Sequence, residues 1–187
     1  MKVLNSLSNN VVELIIMSVI YFLPALIANA LPVIFIGKII KRRTPLDMGR
    51  NFIDGKRVLG PNKTVEGFII GVAGGLIAGL AYYVLLLRNP YIIFYGLVMG
   101  LGAMIGDSIN SFIKRRLNIP SGDPFIPLDQ LSFVLTSYVL VRITGIDSLS
   151  IGLIDLHHLS MIVVIVMIAH PASNFIAYLL KLKDKPW

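Results

Sequence analysis

The stretch Gly106-Asp107-Ser108-Ile109-Asn110-Ser111-Phe112-Ile113-Lys114-Arg115-Arg116 ends a long apolar run and sets the interpretation of the whole chain. In a helix, steps of four, seven and eight residues return to one face, so Asp107, Ser111, Lys114 and Arg115 share a side. Basic clusters beside membrane helices often only set orientation. Acids at membrane depth are rare and usually functional, so Asp107 indicates a site where the helix emerges into water.

The composition is that of an integral membrane protein. Of the 187 residues, 56% are hydrophobic and 14% are charged, against about 25% charged residues in soluble domains. The chain has no cysteine, which excludes disulfides, thiolate metal ligands and thiol nucleophiles. The basic residues lie beside apolar runs without interleaved aromatics, so nucleic acid is not a predicted partner.

The hydrophobic pattern predicts an all-α integral membrane protein, a single bundle of five transmembrane helices in one domain covering residues 1–187. A span needs about 20 apolar residues. The first predicted span contains Pro24 and Pro32 and is interpreted as one kinked or tilted helix. The five spans are residues 11–40, 65–87, 91–113, 127–144 and 159–180, with functional loops at 41–64 and 114–126.

The distribution of positive charge predicts the orientation. Eight basic residues flank or fill the first loop, three follow the third span and three lie in the tail, out of 17 Lys and Arg. The positive-inside rule makes that side cytoplasmic, with the N-terminus outside and the C-terminus inside the cell membrane. These residues are Lys38, Lys41, Arg42, Arg43, Arg50, Lys56, Arg57 and Lys63, then Lys114, Arg115 and Arg116, then Lys181, Lys183 and Lys185.

Glycines recur every fourth residue in the second span and again in the third. They predict close helix packing, with admission of a lipid chain as the weaker alternative. The packing could lie within one chain or between two, so a homodimer stays open. The glycines are Gly67, Gly71, Gly75 and Gly79, then Gly96 and Gly100.

The first loop combines glycines with cations, a pattern that lets backbone amides and side chains both reach a phosphate. Single glycines there are ordinary turn residues, but Gly-Arg, Gly-Lys-Arg and Gly-Pro-Asn-Lys-Thr units within residues 49–64 favour a polyanion site. Thr64 is expected to cap the second span, where a phosphate would face the helix N-terminus.

Residues 118–127, from the second loop to the start of the fourth span, carry three prolines, which stiffen the loop and fix where the chain re-enters the membrane. This rigidity is expected to hold Asp129 opposite Asp107, and two carboxylates from different helix ends can bind Mg²⁺. A carboxylate near a helix N-terminus is also favourable without any ligand. Asp123 is a weaker third candidate. His170 and Asn174 in the last span indicate a kink or, less strongly, a position near the substrate.

Two groups of residues resemble the signature of the CTP-dependent phosphatidate cytidylyltransferases, across roughly residues 45–136. The first group is Gly106-Asp107, Ser111-Phe112, Lys114-Arg115-Arg116, Gly122, Pro124 and Leu128-Asp129-Gln130-Leu131. The second group is similar to the archaeal branch of that family and consists of Pro45, Asp47, Gly49, Asp54-Gly55, Arg57, Gly60, Lys63-Thr64 and Gly67.

The resemblance implies that CTP and an isoprenoid diether glycerol phosphate lipid give a CDP-lipid and pyrophosphate, with Mg²⁺ at Asp107 and Asp129. Those two acids and Lys114 are the predicted catalytic residues. The family commonly has another acid three residues after Asp129, where this chain has Ser132, which leaves the number of metal-binding carboxylates open. The predicted CTP- and phosphate-binding residues are Lys63, Asn62, Thr64, Arg57, Lys56, Asp54, Ser108, Ser111 and Arg115.

Other membrane functions are alternatives to this interpretation. A CTP-dependent polyprenol kinase would transfer the γ-phosphate of CTP instead of its cytidylyl group. A small membrane transporter would place ionisable residues at mid-span, whereas the acids here cluster at predicted cytoplasmic ends. CDP-alcohol phosphotransferases need several aspartates around a spaced Asp-Gly motif, and Asp54-Gly55 stands without them.

Overall fold

The computed structural model describes residues 2–36, 39–41 and 43–179. Within those residues the chain is all-helical, with isolated bridges and no β-strand. The helices are α1 (Lys2–Phe35), α2 (Val65–Leu85), α3 (Tyr91–Arg116), α4 (Leu128–Thr144), α5 (Ile146–Ser150) and α6 (Leu156–Leu179).

The contacts divide the chain into two compact units. One unit contains α1 as far as Tyr21 together with the segment from Ile154 through α6. There, the Tyr21 and His158 rings meet edge to face with centroids 4.8 Å apart. The other unit is Phe22–Leu153 and holds the rest of α1 with α2 to α5. The prediction of one domain is not tested by this division.

Helix α1 is a single helix with Pro24 and Pro32 inside it, as the sequence predicts. It begins at Lys2, well before the predicted start at residue 11, because the helix extends beyond its apolar section, Asn10–Phe35. It ends at Phe35, five residues before the predicted end. Lys38 and Arg42, counted in the charge pattern, lie outside the described residues, as do Lys181, Lys183 and Lys185 and the side chains of His170 and Asn174.

The glycines of α2 and α3 bring the two helices into backbone contact, which confirms the packing role predicted for them. A Cβ added to Gly75 would lie 2.5 Å from the Gly96 carbonyl oxygen and 2.6 Å from the Gly100 Cα. A Cβ on Gly79 would lie 2.8 Å from the Ile92 carbonyl oxygen. Backbones this close leave no room for side chains, so the stripe serves packing within the chain.

Helices α3 and α4 approach equally closely. A Cβ on Gly102 would overlap the backbone of Ser137, whose hydroxyl donates to the Met99 carbonyl at 2.9 Å. A Cβ on Gly106 would overlap the Ser132 carbonyl oxygen. The second contact fixes α3 beside α4 at the end where Asp107 and Asp129 lie.

Within the part of the chain that the structure describes, three helical sections are long and apolar enough to cross a membrane by length and composition: Asn10–Phe35, Val65–Leu85 and Tyr91–Arg116. Helix α4 has 17 residues and the apolar part of α6 is Leu156–Ala169, both short of a full span of about 20. Large apolar side chains such as Ile69, Ile143 and Ile168 are exposed on these helices, a surface that suits lipid. Five spans and the orientation stay predictions.

Candidate active site

The first ion pair of the site joins α3 to the α1–α2 connection. The ammonium of Lys63 contacts the Asp107 carboxylate, and both side chains are partly exposed, at 27% and 32%. Lys63 stands just before Thr64, whose hydroxyl oxygen accepts from the Gly67 N–H at 3.1 Å and caps α2 as predicted. The pair therefore lies where the N-terminus of α2 meets the last turns of α3.

The second ion pair joins α3 to α4. The Lys114 ammonium lies 3.1 Å from each carboxylate oxygen of Asp129 and also donates to the Asp123 carbonyl. Asp129 Oδ2 accepts from the Phe125 N–H at 2.6 Å. Lys114 is buried, at 8% exposure. These contacts attach the α3–α4 connection to both of its helices and bring together two of the predicted catalytic residues, Lys114 and Asp129.

Asn110 links the two acidic positions. It lies three residues after Asp107 on α3, and its amide donates to Asp129 Oδ1 at 2.6 Å. Its own Oδ1 is buried and has no hydrogen-bond partner among the described residues. Together with the backbone contact of Gly106 and Ser132, this arrangement brings Asp107 and Asp129 to adjoining turns of α3 and α4.

This donor set fits a hard divalent cation. Two carboxylates and an unsatisfied amide oxygen at Asn110 are oxygen ligands of the kind that Mg²⁺ prefers. Within the described residues, no three His, Asp or Glu side chains converge as a metal group. A bound Mg²⁺ would therefore depend on water and substrate phosphates for its other ligands, as it commonly does.

A buried carboxylate, Asp47, organises the α1–α2 connection. Arg57 binds it with two nitrogens, at 3.1 and 2.7 Å, and the N–H groups of Gly49, Leu59 and Gly60 donate to it at 2.9 to 3.0 Å. Burial by itself raises the pKa of Asp47, but the hydrogen bonds from Arg57 and the backbone outweigh it and hold that pKa well below its usual range.

The two ends of this connection are joined to each other. The Glu66 carboxylate accepts from the Thr44 N–H at 2.9 Å and from the Thr44 hydroxyl at 2.7 Å. The Leu46 N–H donates to the Lys63 carbonyl at 2.7 Å. The connection is therefore a closed loop that places Lys63 and Thr64 at the start of α2.

Arg116 attaches the outer part of the connection to the end of α3. Its Nε lies 2.9 Å from an Asp54 carboxylate oxygen, and its Nη2 donates to the Arg57 carbonyl at 2.6 Å. Its guanidinium also stacks on the rings of Phe52 and Phe112, at 5.0 and 4.5 Å from the centroids. In return, the Lys56 ammonium donates to the Arg116 carbonyl at 2.9 Å. Asp54 and Lys56 are thus engaged within the protein.

The other predicted residues take different positions. Arg115 Nη1 would lie 3.1 Å from a Cβ on Gly60, and its Nε is buried without a hydrogen-bond partner among the described residues. The Ser108 hydroxyl donates to the Met104 carbonyl of its own helix at 2.8 Å, and Ser111 is buried. Asn62 is exposed. The predicted single face of α3 divides, because Asp107 contacts the α1–α2 connection while Lys114 contacts α4.

Sequence reasoning gave no role to two residues that the structure places at the centre of these networks, Asp47 and Asn110. Asn110 had a detectable signal, since residues three apart on a helix are neighbours and Asp107 was already a candidate. For Asp47 the signal was its place in the family resemblance, but no local pattern indicated its role, because its partners lie up to 13 positions away in an irregular loop.

Comparisons with known proteins give one consistent result. A family model described as CarS-like, CDP-archaeol synthase, matches residues 11–187. A Pyrobaculum aerophilum protein named CDP-archaeol synthase is 43% identical over 148 residues, covering 79% of this chain and 85% of that protein. One of that name from Sulfurisphaera tokodaii is 36% identical over 177 residues, covering 95% and 99%. A solved structure described as an intramembrane enzyme for archaeal membrane lipids biosynthesis aligns with a TM-score of 0.71 at 34% identity, covering 86% of this chain and 94% of the other.

Proposed function

Because this chain belongs to the CarS-like family of CDP-archaeol synthases, we propose that it is a cytidylyltransferase of the membrane that makes CDP-archaeol. The substrates are CTP and an isoprenoid glycerol phosphate, 2,3-bis-O-geranylgeranylglycerol 1-phosphate. The products are the CDP-lipid and pyrophosphate. The family match over residues 11–187 carries this proposal, and the paired charges at one end of α3 give it a chemical basis.

The reaction brings together two anionic substrates. A phosphate monoester carries about 1.5 to 2 negative charges at neutral pH, and the triphosphate of CTP adds more. Their approach requires cations at fixed positions, because organised charge in a site of low dielectric stabilises a transition state better than water does. Lys63, Lys114 and Arg115 supply such charges from the connection and from α3.

We assign the Mg²⁺ site to Asp107 and Asp129, with the Asn110 amide oxygen as an adjacent acceptor. The support is the fit of these oxygen donors to a hard cation and the hydrogen bond by which Asn110 of α3 reaches Asp129 of α4. When bound, the ion would neutralise phosphate charge and polarise the phosphoryl oxygens.

The lysines and the loop amides then orient the substrates. Lys63, beside the N-terminus of α2, is placed to hold the triphosphate, and Asn62 and Thr64 flank it in sequence. A lipid phosphate oxygen attacks the α-phosphorus in line, a bond forms there, and the bond to the pyrophosphate oxygen breaks. No proton transfer is required if the lipid phosphate reacts as its dianion, so positioning and charge account for most of the catalysis.

The location follows from the same features. The apolar sections of α1, α2 and α3 suit a membrane enzyme whose lipid substrate remains in the bilayer. The clustering of basic residues around the site supports a cell-membrane protein with its active site facing the cytoplasm, where CTP is made. A homodimer stays a prediction, because the glycines of α2 and α3 pack within one chain.

The decisive experiment measures pyrophosphate release by the purified protein with CTP, Mg²⁺ and the lipid phosphate. With CTP labelled at the α-phosphate, the label should enter the lipid. With CTP labelled at the γ-phosphate, it should leave with pyrophosphate. Transfer of the γ-label to the lipid would instead establish the kinase alternative. If neither reaction occurs and labelled lipid instead crosses the bilayer of proteoliposomes that contain the protein, the transporter alternative would be supported.

A further inference from the structure

We propose that Asp47 and Arg57 are positioning residues that hold Lys63 against Asp107, and that Arg57 acts through this arrangement rather than by binding the triphosphate itself. The proposal rests on the proposed function, since it concerns how that site is assembled. It also gives Arg57 a different role from the phosphate contact that the sequence predicts.

The Asp47 carboxylate is the centre of the α1–α2 connection. Its side chain is 1% exposed, and the Arg57 side chain is 35% exposed. The Arg57 pair is bidentate, the geometry that makes arginine–carboxylate contacts both strong and directional. The three N–H groups that also donate to Asp47 come from both sides of the loop, Gly49 on one side and Leu59 and Gly60 on the other. One carboxylate therefore closes the loop upon itself.

A continuous set of backbone contacts leads from Asp47 to Lys63. Gly60 donates to Asp47 with its N–H, and its carbonyl accepts from the Lys63 N–H at 3.4 Å. Leu46, next to Asp47 in the chain, donates to the Lys63 carbonyl at 2.7 Å. Both polar backbone groups of Lys63 are therefore held by segments that Asp47 anchors. The Lys63 side chain extends from this support to Asp107.

Arg57 contacts this network through both its side chain and its backbone. Two of its nitrogens are engaged by Asp47, and its carbonyl accepts from Arg116 at 2.6 Å. Turning the guanidinium toward a phosphate would leave the buried Asp47 carboxylate without its counter-charge, which is strongly unfavourable. The contacts therefore favour an indirect role for Arg57.

An asparagine at position 47 could not reproduce the site. The side chain accepts from three N–H groups and a guanidinium, so every neighbour is a donor, and an amide would place its own donors against some of them. Asp47→Asn should therefore loosen the turn that carries Lys63. Arg57→Met is the second variant, because three backbone N–H groups still donate to Asp47 after the guanidinium is removed. If neither single variant folds, Asp47→Asn combined with Arg57→Met also removes the unpaired buried charge.

The test is a double-mutant cycle on CTP binding, measured by isothermal titration calorimetry with Mg²⁺ present and no lipid. Loss of a charge-assisted contact predicts that Arg57→Met weakens CTP binding about tenfold in the wild-type background. In a Lys63→Met background the same substitution should weaken it less than about twofold, because Lys63 is the residue that it positions. Asp47→Asn should follow the same pattern. Lys41→Met removes an exposed cation of the same loop and serves as the matched control, with binding unchanged.

Equal effects of Arg57→Met in both backgrounds would show that Arg57 contacts the triphosphate itself and would overturn the proposal. So would an Arg57→Met protein that binds CTP like wild type. Failure of the proposed function is a separate result, since wild type would then neither bind CTP nor release pyrophosphate. If wild type binds CTP and releases pyrophosphate, but the Arg57 and Lys63 substitutions have additive effects on CTP binding, only the positioning role is rejected.

Discussion

The Lys114 ammonium lies 3.1 Å from both carboxylate oxygens of Asp129, and the lysine side chain is only 10% exposed. Asp129 also accepts hydrogen bonds from Asn110 and from the Phe125 N–H. Asp107, by contrast, is held by Lys63 from a neighbouring loop and is about one-third exposed. The two acids assigned to one metal ion therefore differ in how far they also support the fold.

For Asp107, we expect loss of catalysis with little loss of stability. Asp107→Asn should lower cytidylyl transfer at least about 100-fold, because a neutral amide is a poor ligand for a divalent cation and a poor partner for Lys63. The free energy of unfolding should change by less than about 1 kcal/mol, since partly exposed ion pairs contribute little. Pyrophosphate release and thermal melting in detergent measure the two effects. Near-normal turnover would remove Asp107 from the mechanism.

For Asp129, we expect both the rate of cytidylyl transfer and the free energy of unfolding to fall. Asp129→Asn deprives the buried Lys114 ammonium of its counter-charge and weakens the contact with the Phe125 N–H. We expect a loss of roughly 2 kcal/mol in the free energy of unfolding together with loss of transfer. The comparison with Asp107→Asn is the control, because each substitution removes one carboxylate from the region where the last turns of α3 meet the first turn of α4. Equal melting temperatures for the two variants would contradict the structural role of Asp129.

The helices were predictable because their signals are local. Apolar runs gave the type and approximate position of five of the six helices found among the described residues. Glycines at every fourth residue predicted the close contact between α2 and α3. Helix α5 was missed, since five residues, Ile146–Ser150, are too few for a periodic pattern to register. The start of α1 was missed because polar residues can continue a helix beyond its apolar section.

The site was predictable in its residue types and less so in its pairings. The sequence grouped Asp107 and Lys114 on one face of α3, but the structure gives them different partners, Lys63 and Asp129. That choice depends on how an irregular loop folds and on where α4 begins, and no local periodicity encodes either. Arg57 shows the same limit, because its pairing with Asp47 depends on the loop closing over ten positions.

Arg116 should hold the α1–α2 connection against the end of α3 and protect it from proteolysis. Arg116→Met removes its ion pair with Asp54 and its stacking on Phe52 and Phe112, a contribution of about 0.5 to 1 kcal/mol for each exposed cation–π contact. We expect limited trypsin digestion at Lys56 to become several-fold faster. Arg88→Met, at an exposed position in the turn between α2 and α3, is the control and should leave that rate unchanged. Equal rates for both variants would argue against the attachment.

Gly75 should tolerate no side chain. Gly75→Val would push a branched side chain into the Gly96 carbonyl and the Gly100 backbone, neither of which can move without separating α2 from α3. Overpacking of this kind typically costs 1 to 3 kcal/mol, so we expect a loss of about 2 kcal/mol or failure to fold. Ala81→Val on the exposed face of α2 is the matched control. Its free energy of unfolding should lie within about 0.5 kcal/mol of that of wild type. A stable Gly75→Val protein would contradict the observed packing.

Asp155 should give the start of α6 an acid-sensitive contribution to stability. Its carboxylate accepts from the His158 N–H at 3.0 Å and from His158 Nδ1 at 2.6 Å, and the backbone hydrogen bond is the main cause that lowers the pKa of Asp155 to about 2. Since the folded-state pKa lies below the ordinary value of about 3.9, the stabilisation is complete above that value and is lost as the pH falls toward 2. Melting of wild type and Asp155→Asn at successive pH values measures it. The wild-type advantage should be present at pH 5 and should shrink between about 4 and 2. Glu13→Gln, an exposed acid on α1, controls for general charge effects, and an advantage that persisted to the lowest pH would contradict this assignment.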